Sequence, residues 1–134
     1  MIEREFSACD ETLHEALGFV EEQLELLDCP MKVVMQITVA VEEIYVNIAH
    51  YAYDGAAGGM TLTMDALPEG GVMIRFADSG IPFDPLAKKD PDITLSAEER
   101  SIGGLGIYMV KKSMDSVNYV RENGQNILTI TKKF

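Results

Sequence analysis

The apolar residues of this chain switch between two spacings, and the order of those switches limits the fold more than any other feature. Residues 2–8 alternate as an edge strand does. Asp10-Glu11-Thr12 then opens a helix with Leu13, Leu17, Val20, Leu24 and Leu27 at helical spacing, which ends before Pro30. A second helix is predicted from about Met31 to Tyr53, with Val34, Ile37, Val41, Ile44 and Ile48 as its core stripe. Asp54 to Gly59 reads as a turn. Residues 60–67 and 71–78 read as paired strands joined through Pro68-Glu69-Gly70-Gly71. A third helix runs from about Gly104 to Asp115, and two closing strands, about 117–122 and 126–133, turn at Asn123-Gly124. Hairpins dominate this order. The fold class is therefore α+β, a two-layer sandwich with a mainly antiparallel sheet and about three helices on one face.

Residues 79–102 break the pattern. They are mostly polar and contain Pro82, Pro85 and Pro91. A stretch that long without regular structure inside a compact domain is usually functional or mobile. At 134 residues the chain is read as one domain, 1–134, long enough for a single sizeable core. No apolar run reaches the ~18 residues of a membrane span, and no signal peptide is evident, so a cytoplasmic protein is expected. Cys9 and Cys29 bracket the first helix, which would hold them ~25–30 Å apart, far beyond disulfide reach; two reduced thiols follow.

The net charge is −11, which argues against nucleic acid or anionic membrane as partners. Lys88, Lys89, Arg100, Lys111 and Lys112 flank a glycine cluster. They are either counter-charges for a bound anion or solvated surface residues.

Three short stretches carry chemistry. Glu43 and Asn47 stand four apart, so they share one side of the second helix at the margin of its buried face. A carboxylate and an amide oxygen there suit a metal ion or a reacting hydroxyl; the plainer alternative is a boundary polar pair. His50 follows one turn on, facing the same site or simply the helix boundary. Asp78 ends an apolar run and precedes Ser79 and Gly80. An ionised carboxylate only accepts hydrogen bonds, which suits the exocyclic amine of adenine, although Asp-Ser-Gly is also a common turn. Gly103, Gly104 and Gly106 offer backbone N–H groups where a helix begins, a natural seat for phosphate or merely a loop. There is no G-x-x-x-x-G-K-[ST] loop, so a nucleotide must be held another way.

In this order, the stretches resemble the boxes of the GHKL (Bergerat-type) ATP-binding superfamily, and more closely those of bacterial anti-sigma-factor serine/threonine kinases. Glu43, Asn47, His50 and Tyr53 are similar to the first box. Asp78, Gly80, Pro82, Phe83, Asp84 and Pro85 match D-x-G-x-P-F-D-P. Gly103-Gly104-Leu105-Gly106-Ile107, then Met114-Asp115, match the third. The resemblance implies the Bergerat fold with a mobile ATP lid over residues 86–102. It implies Asn47 as a Mg²⁺ ligand, Glu43 as general base and Asp78 as the adenine-binding residue. Gly80 and Pro82 would contribute through the second box, and Gly103, Gly104, Leu105 and Gly106 would hold phosphates. Arg100 resembles a lid arginine of some members. Many members carry Gly-Thr entering the last strand, where the Thr supports adenine. Here Gly124-Gln125-Asn126 stands instead, and alternation puts Asn126 on the face of Leu128 and Ile130, which makes it the candidate replacement.

The implied activity is ATP-dependent phosphorylation of a serine on a STAS-type anti-anti-sigma protein, with a sigma factor as second partner and a homodimer as one option. The alternatives are a non-catalytic ATP-gated binding module, or the catalytic domain of a sensor histidine kinase.

Overall fold

The computed structural model describes residues 1–87 and 104–134. Strand β1 (Ile2–Ser7) leads through a 3-10 turn (Asp10–Thr12) into α1 (Leu13–Leu26), followed by α2 (Met31–Tyr51), β2 (Gly59–Ala66) and β3 (Val72–Asp78). After a second 3-10 turn (Pro85–Ala87) the described chain resumes with α3 (Gly104–Ser113), β4 (Ser116–Glu122) and β5 (Gln125–Lys132). The strands form one antiparallel sheet in the order β1-β2-β3-β5-β4. The expected sheet and three helices are therefore present. The expected lid, and with it Lys88, Lys89 and Arg100, lies outside the described residues.

Period-2 alternation turns β2, β3 and β5 into three rows across the helix-covered face. Met64, Ile74, Ile130 and Val117 form one row, and Leu62, Phe76, Leu128 and Tyr119 the next. Met60, Asp78, Asn126 and Arg121 form the third. The first two rows are apolar, and Leu62, Phe76 and Ile74 are almost wholly buried. Each such side chain contributes about 1.5–3 kcal/mol by leaving water. The third row turns polar in its middle, and the site lies there. Asn123 and Gly124 adopt the left-handed φ values of 53° and 76° that a tight β4–β5 hairpin needs.

Helix α2 packs against both α1 and α3. Its buried arc is wider than the stripe read from spacing: Ala40 and Tyr45 join Ile37, Val41 and Ile44 inside, while Val34 and Ile48 are half-buried. In α1 the deepest residues are Ala16, Phe19, Val20 and Leu24, with Leu13, Leu17 and Leu27 at the margin. The rotation has a cause in aromatic packing. Phe6 of β1 meets the Phe19 ring at 6.1 Å and the Tyr45 ring edge-on at 6.3 Å, favourable geometries for π-systems. Helix α1 stops where Asp28 takes a left-handed φ of 56°, and Pro30 then sets the entry to α2. Cys9 and Cys29 are both free thiols. No helix among the described residues is long and apolar enough to cross a membrane.

The Tyr45 hydroxyl reaches Thr12 Oγ1 and, at 3.3 Å, the Ser7 carbonyl, pinning α2 to the junction of β1 and α1. Burial pushes its phenol above the ordinary value, with smaller contributions from Cys9 and Glu15 and an opposing one from the Thr12 hydrogen bond. Tyr45→Phe should lose about 1 kcal/mol in urea denaturation at pH 7. The raised phenol also carries a sign. Above about pH 10 the unfolded chain ionises this tyrosine before the native state does, so native stability falls as pH rises. Tyr45→Phe should show a shallower fall between neutral pH and pH 11; parallel curves would show that this hydroxyl is not the linked group.

Candidate functional site

A small, partly open pocket lies between the polar row of the sheet, the second half of α2 and the start of α3. Its walls are apolar: Ile44, Ile48 and Ala52 from α2 and its end, Phe76 and Leu128 from the sheet, and Ile107 from α3. Phe83 and Pro85 line it from the chain that leaves β3, and the Tyr119 ring lines it from β4. The polar side chains in the lining are Asn47, Asp78 and Asn126, besides the Tyr119 hydroxyl. An apolar lining with a carboxylate in it suits an apolar ring that carries a hydrogen-bond donor.

Asp78 and Asn126 are cross-strand partners on β3 and β5, 5% and 6% exposed. Buried polar groups must find partners, and these do. Asp78 Oδ1 accepts from Gly80 N at 2.9 Å and from Asn126 Nδ2 at 3.0 Å. Asn126 Nδ2 also donates to Ile81 O at 2.8 Å, and its Oδ1 accepts from Tyr119 Oη at 2.6 Å and Phe83 N at 3.2 Å. Arg121 donates to Gly80 O at 2.8 Å. The segment after β3 is thus fastened to β4 and β5, with Ile81 N donating to Ala52 O at 2.8 Å on the other side.

Gly80 owes its identity to that last contact. A Cβ at Gly80 would lie 2.2 Å from the Ala52 carbonyl oxygen. Only glycine lets the segment press against the backbone at the end of α2. Pro82 is exposed and does not line the pocket; its neighbour Phe83 does. Gly104 opens α3. Gly103, like Arg100, lies outside the described residues, as does the side chain of Leu105.

Glu43 faces a neighbouring groove between α2 and α3, lined also by Met35, Val39, Gly106 and Met109. Its carboxylate rests on α3: a Cβ at Gly106 would lie 2.2 Å from Glu43 Oε2. Gly106 and Ile107 are sequence neighbours, so the first turn of α3 joins the groove to the pocket. Likewise Glu43 and Asn47, one turn apart on α2, stand one in each. His50 turns elsewhere: its Nε2 meets Asp10 Oδ1 at 2.8 Å by the turn before α1. Tyr53 is structural, its hydroxyl accepting from Ser79 N at 2.9 Å and donating to Gly59 O. Sequence reading singled out neither Tyr119 nor Arg121. Their only signal is that they fall opposite Leu128 and Asn126 once the Asn123-Gly124 hairpin is drawn.

Among the described residues no group of three or more His, Cys, Asp or Glu is placed to hold a metal. A Mg²⁺ ion here would need phosphate and water beside Asn47, which is how that ion is commonly bound. The residues present fit ATP with such an ion.

Residues 6–132 match the family described as the Histidine kinase-like ATPase domain. Among curated proteins, the chain is 30% identical over 94 residues to the serine-protein kinase RsbW of Bacillus cereus (strain G9842), covering 67% of this chain and 58% of that protein. It is 28% identical over 96 residues to the serine/threonine-protein kinase BtrW of Bordetella bronchiseptica, covering 71% and 67%. The matched region thus spans about three-fifths of the length of the RsbW relative. Among solved structures, the histidine kinase domain of a blue-light activated histidine kinase from Erythrobacter litoralis EL346 superposes with a TM-score of 0.59 at 17% identity, over 90% of this chain and 60% of that one. That likeness is one of fold. The GHKL resemblance of the motifs is borne out by the family match.

Gly80→Ala should be destabilising by roughly 1–3 kcal/mol, because its methyl meets backbone that cannot swing aside. Urea denaturation measures it; an unchanged midpoint would mean that the Gly80–Ala52 approach is not tight in solution.

Proposed function

The chain belongs to the family of histidine kinase-like ATPase domains, and on that footing we propose that it is an ATP-dependent serine protein kinase of the anti-sigma type. Its substrate would be a serine on a STAS-type anti-anti-sigma protein, and its second partner a sigma factor held inactive by binding. The proposal extends to the whole unit 1–134 acting as one kinase domain. The relatives named serine-protein kinase RsbW support this reading.

The observation that carries the catalytic part is the adjacency of three groups: Asn47 in the pocket wall, Glu43 one turn away in the next groove, and Gly106 of α3 against the Glu43 carboxylate. The adenine would enter the apolar slot and give its amine to Asp78. Its phosphates would then run toward the first turn of α3, where free N–H groups and the helix dipole favour anions. Asn47 would hold Mg²⁺, which would neutralise phosphate charge. Glu43, exposed on its groove, would take the proton of the serine hydroxyl. The serine oxygen bonds to the γ-phosphorus as the bond from that phosphorus to the leaving oxygen of ADP breaks. Such a transfer asks mainly for positioning and charge neutralisation.

Asp78→Asn and Asn47→Ala should each weaken Mg-ATP binding by about 1.5–3 kcal/mol, the worth of a hydrogen bond to a charged group. Calorimetric titration decides; wild-type affinity in both variants would remove the nucleotide site from this pocket.

Glu43→Gln should keep ATP binding and lower phosphoserine formation on a cognate STAS protein about 10²–10⁴-fold. Gly106→Ala makes the same point from the other side. Its methyl meets only the far end of the Glu43 side chain, and Ala is the better helix former by about 0.5–1 kcal/mol. This variant should be as stable as wild type or more so, yet slower in transfer. A phosphorylation time course reads both variants. Full activity in both would leave Glu43 without a catalytic role, and no phosphoserine from the wild type would favour a non-catalytic ATP-gated module.

A further inference from the structure

Asn126 has no hydrogen-bonding capacity left for a ligand. A carboxamide offers two N–H donors and two acceptor positions. Its donors go to Asp78 Oδ1 and Ile81 O, and its acceptors take Phe83 N–H and Tyr119 O–H. The orientation of the amide is forced by its partners. A backbone N–H can only donate, while a backbone carbonyl and a carboxylate can only accept, so oxygen and nitrogen cannot exchange places. Tyr119 must then donate as well.

The same bonds divide the two oxygens of Asp78. Oδ1 is occupied by Gly80 N and Asn126 Nδ2. Oδ2 takes no partner among the described residues. No fully buried side-chain oxygen there is left unsatisfied, so Oδ2 reaches open space, and Asp78 lines the pocket. We propose that Asn126 is a positioning residue for base selection: it makes no contact with the base, and instead locks Asp78 so that Oδ2 alone reads the group at the purine 6-position. It also holds Ile81 and Phe83, and thereby the wall that the base would lie against. The inference rests on the reading of Asp78 as the base-binding residue.

The lock has a consequence for substitution at Asp78. In Asp78→Asn the new amide oxygen would take the two donors that Oδ1 now takes, which turns its NH₂ into the pocket. The site would then offer a donor in place of an acceptor. Its preference should move from a 6-amino purine to a 6-oxo purine, and Asn126 should be required for that change.

The test measures binding of three magnesium nucleotides: ATP, inosine triphosphate, and purine riboside triphosphate, which has hydrogen in place of the 6-amino group. Wild type should prefer ATP to purine riboside triphosphate by about tenfold or more. Asn126→Ala should bring that ratio to within about threefold of one, because a freed carboxylate no longer presents a fixed acceptor. Asp78→Asn should prefer inosine triphosphate to ATP, and adding Asn126→Ala should erase the preference. Tyr119→Phe keeps the ring but frees one side of the amide. It should lower the wild-type ratio in the same direction by less, and it serves if Asn126→Ala fails to fold by circular dichroism. If both Asn126→Ala and Tyr119→Phe weaken all three nucleotides by equal factors, their role is general packing and the proposal is overturned. If wild type itself does not distinguish ATP from purine riboside triphosphate, the reading of Asp78 fails first and takes the proposal with it.

Discussion

The register of β3 against β5 is the constraint on which the site depends. It sets Asp78 opposite Asn126, Phe76 opposite Leu128 and Ile74 opposite Ile130. The two apolar pairs enforce the register, since a one-residue slip would turn every one of these side chains to the other face. The force that aims the polar pair into the pocket is therefore the burial of its apolar neighbours. A buried polar group without a partner costs about 1–3 kcal/mol. Here the carboxamide satisfies the carboxylate, the loop carbonyl and the loop N–H together, so the end of the core becomes polar without leaving an orphan. The site is the last row of the core, built by the same alternation as the rows before it.

Helix α2 performs a second division of labour. Ile44 and Ile48 present the apolar wall of the pocket, while Glu43 and Asn47 lie one position back along the same turns. Residues four apart stack along one side at about 6 Å per step. That spacing places Asn47 at the pocket and Glu43 a turn beyond, against α3. Gly106 completes the arrangement because any larger residue would occupy the space of the Glu43 carboxylate. The intervals within the first and third motifs thus follow from helix pitch and from one tight approach between helices.

Much of this was legible beforehand, and the reasons differ by residue. The strands, the hairpin at Asn123-Gly124 and the face shared by Asn126, Leu128 and Ile130 follow from local rules of period and turn chemistry. Asn126 on that face was legible; the saturation of its amide was not. That depends on Tyr119 of another strand and on a loop 43 residues away. Tyr45 was missed because a helix packed on two sides buries a wider arc than a single stripe. Phe19 was missed because an aromatic cluster with Phe6 and Tyr45 rotates α1 inward. Gly80 read as a turn or ligand glycine, yet its neighbour is the backbone of Ala52, which no local pattern could supply.

Charge sets the final requirement. The chain carries −11, and the Glu43 carboxylate already lies at the first turn of α3, where the helix dipole amounts to about half a positive charge. A triphosphate directed to the same turn would share that partial charge with Glu43. Two anions drawn to one half-charge repel each other more than the dipole attracts them, unless a cation stands between. On the proposed function Asn47 would hold that cation: it is a neutral oxygen donor one turn from Glu43, adding no negative charge of its own. A carboxylate at 47 would bind a free divalent ion more tightly but would deepen the repulsion toward phosphate. An amide there would make such an ion depend on the nucleotide for its remaining ligands. Metal and ATP would then enter together, and Glu43 would remain free for the general-base role proposed for it.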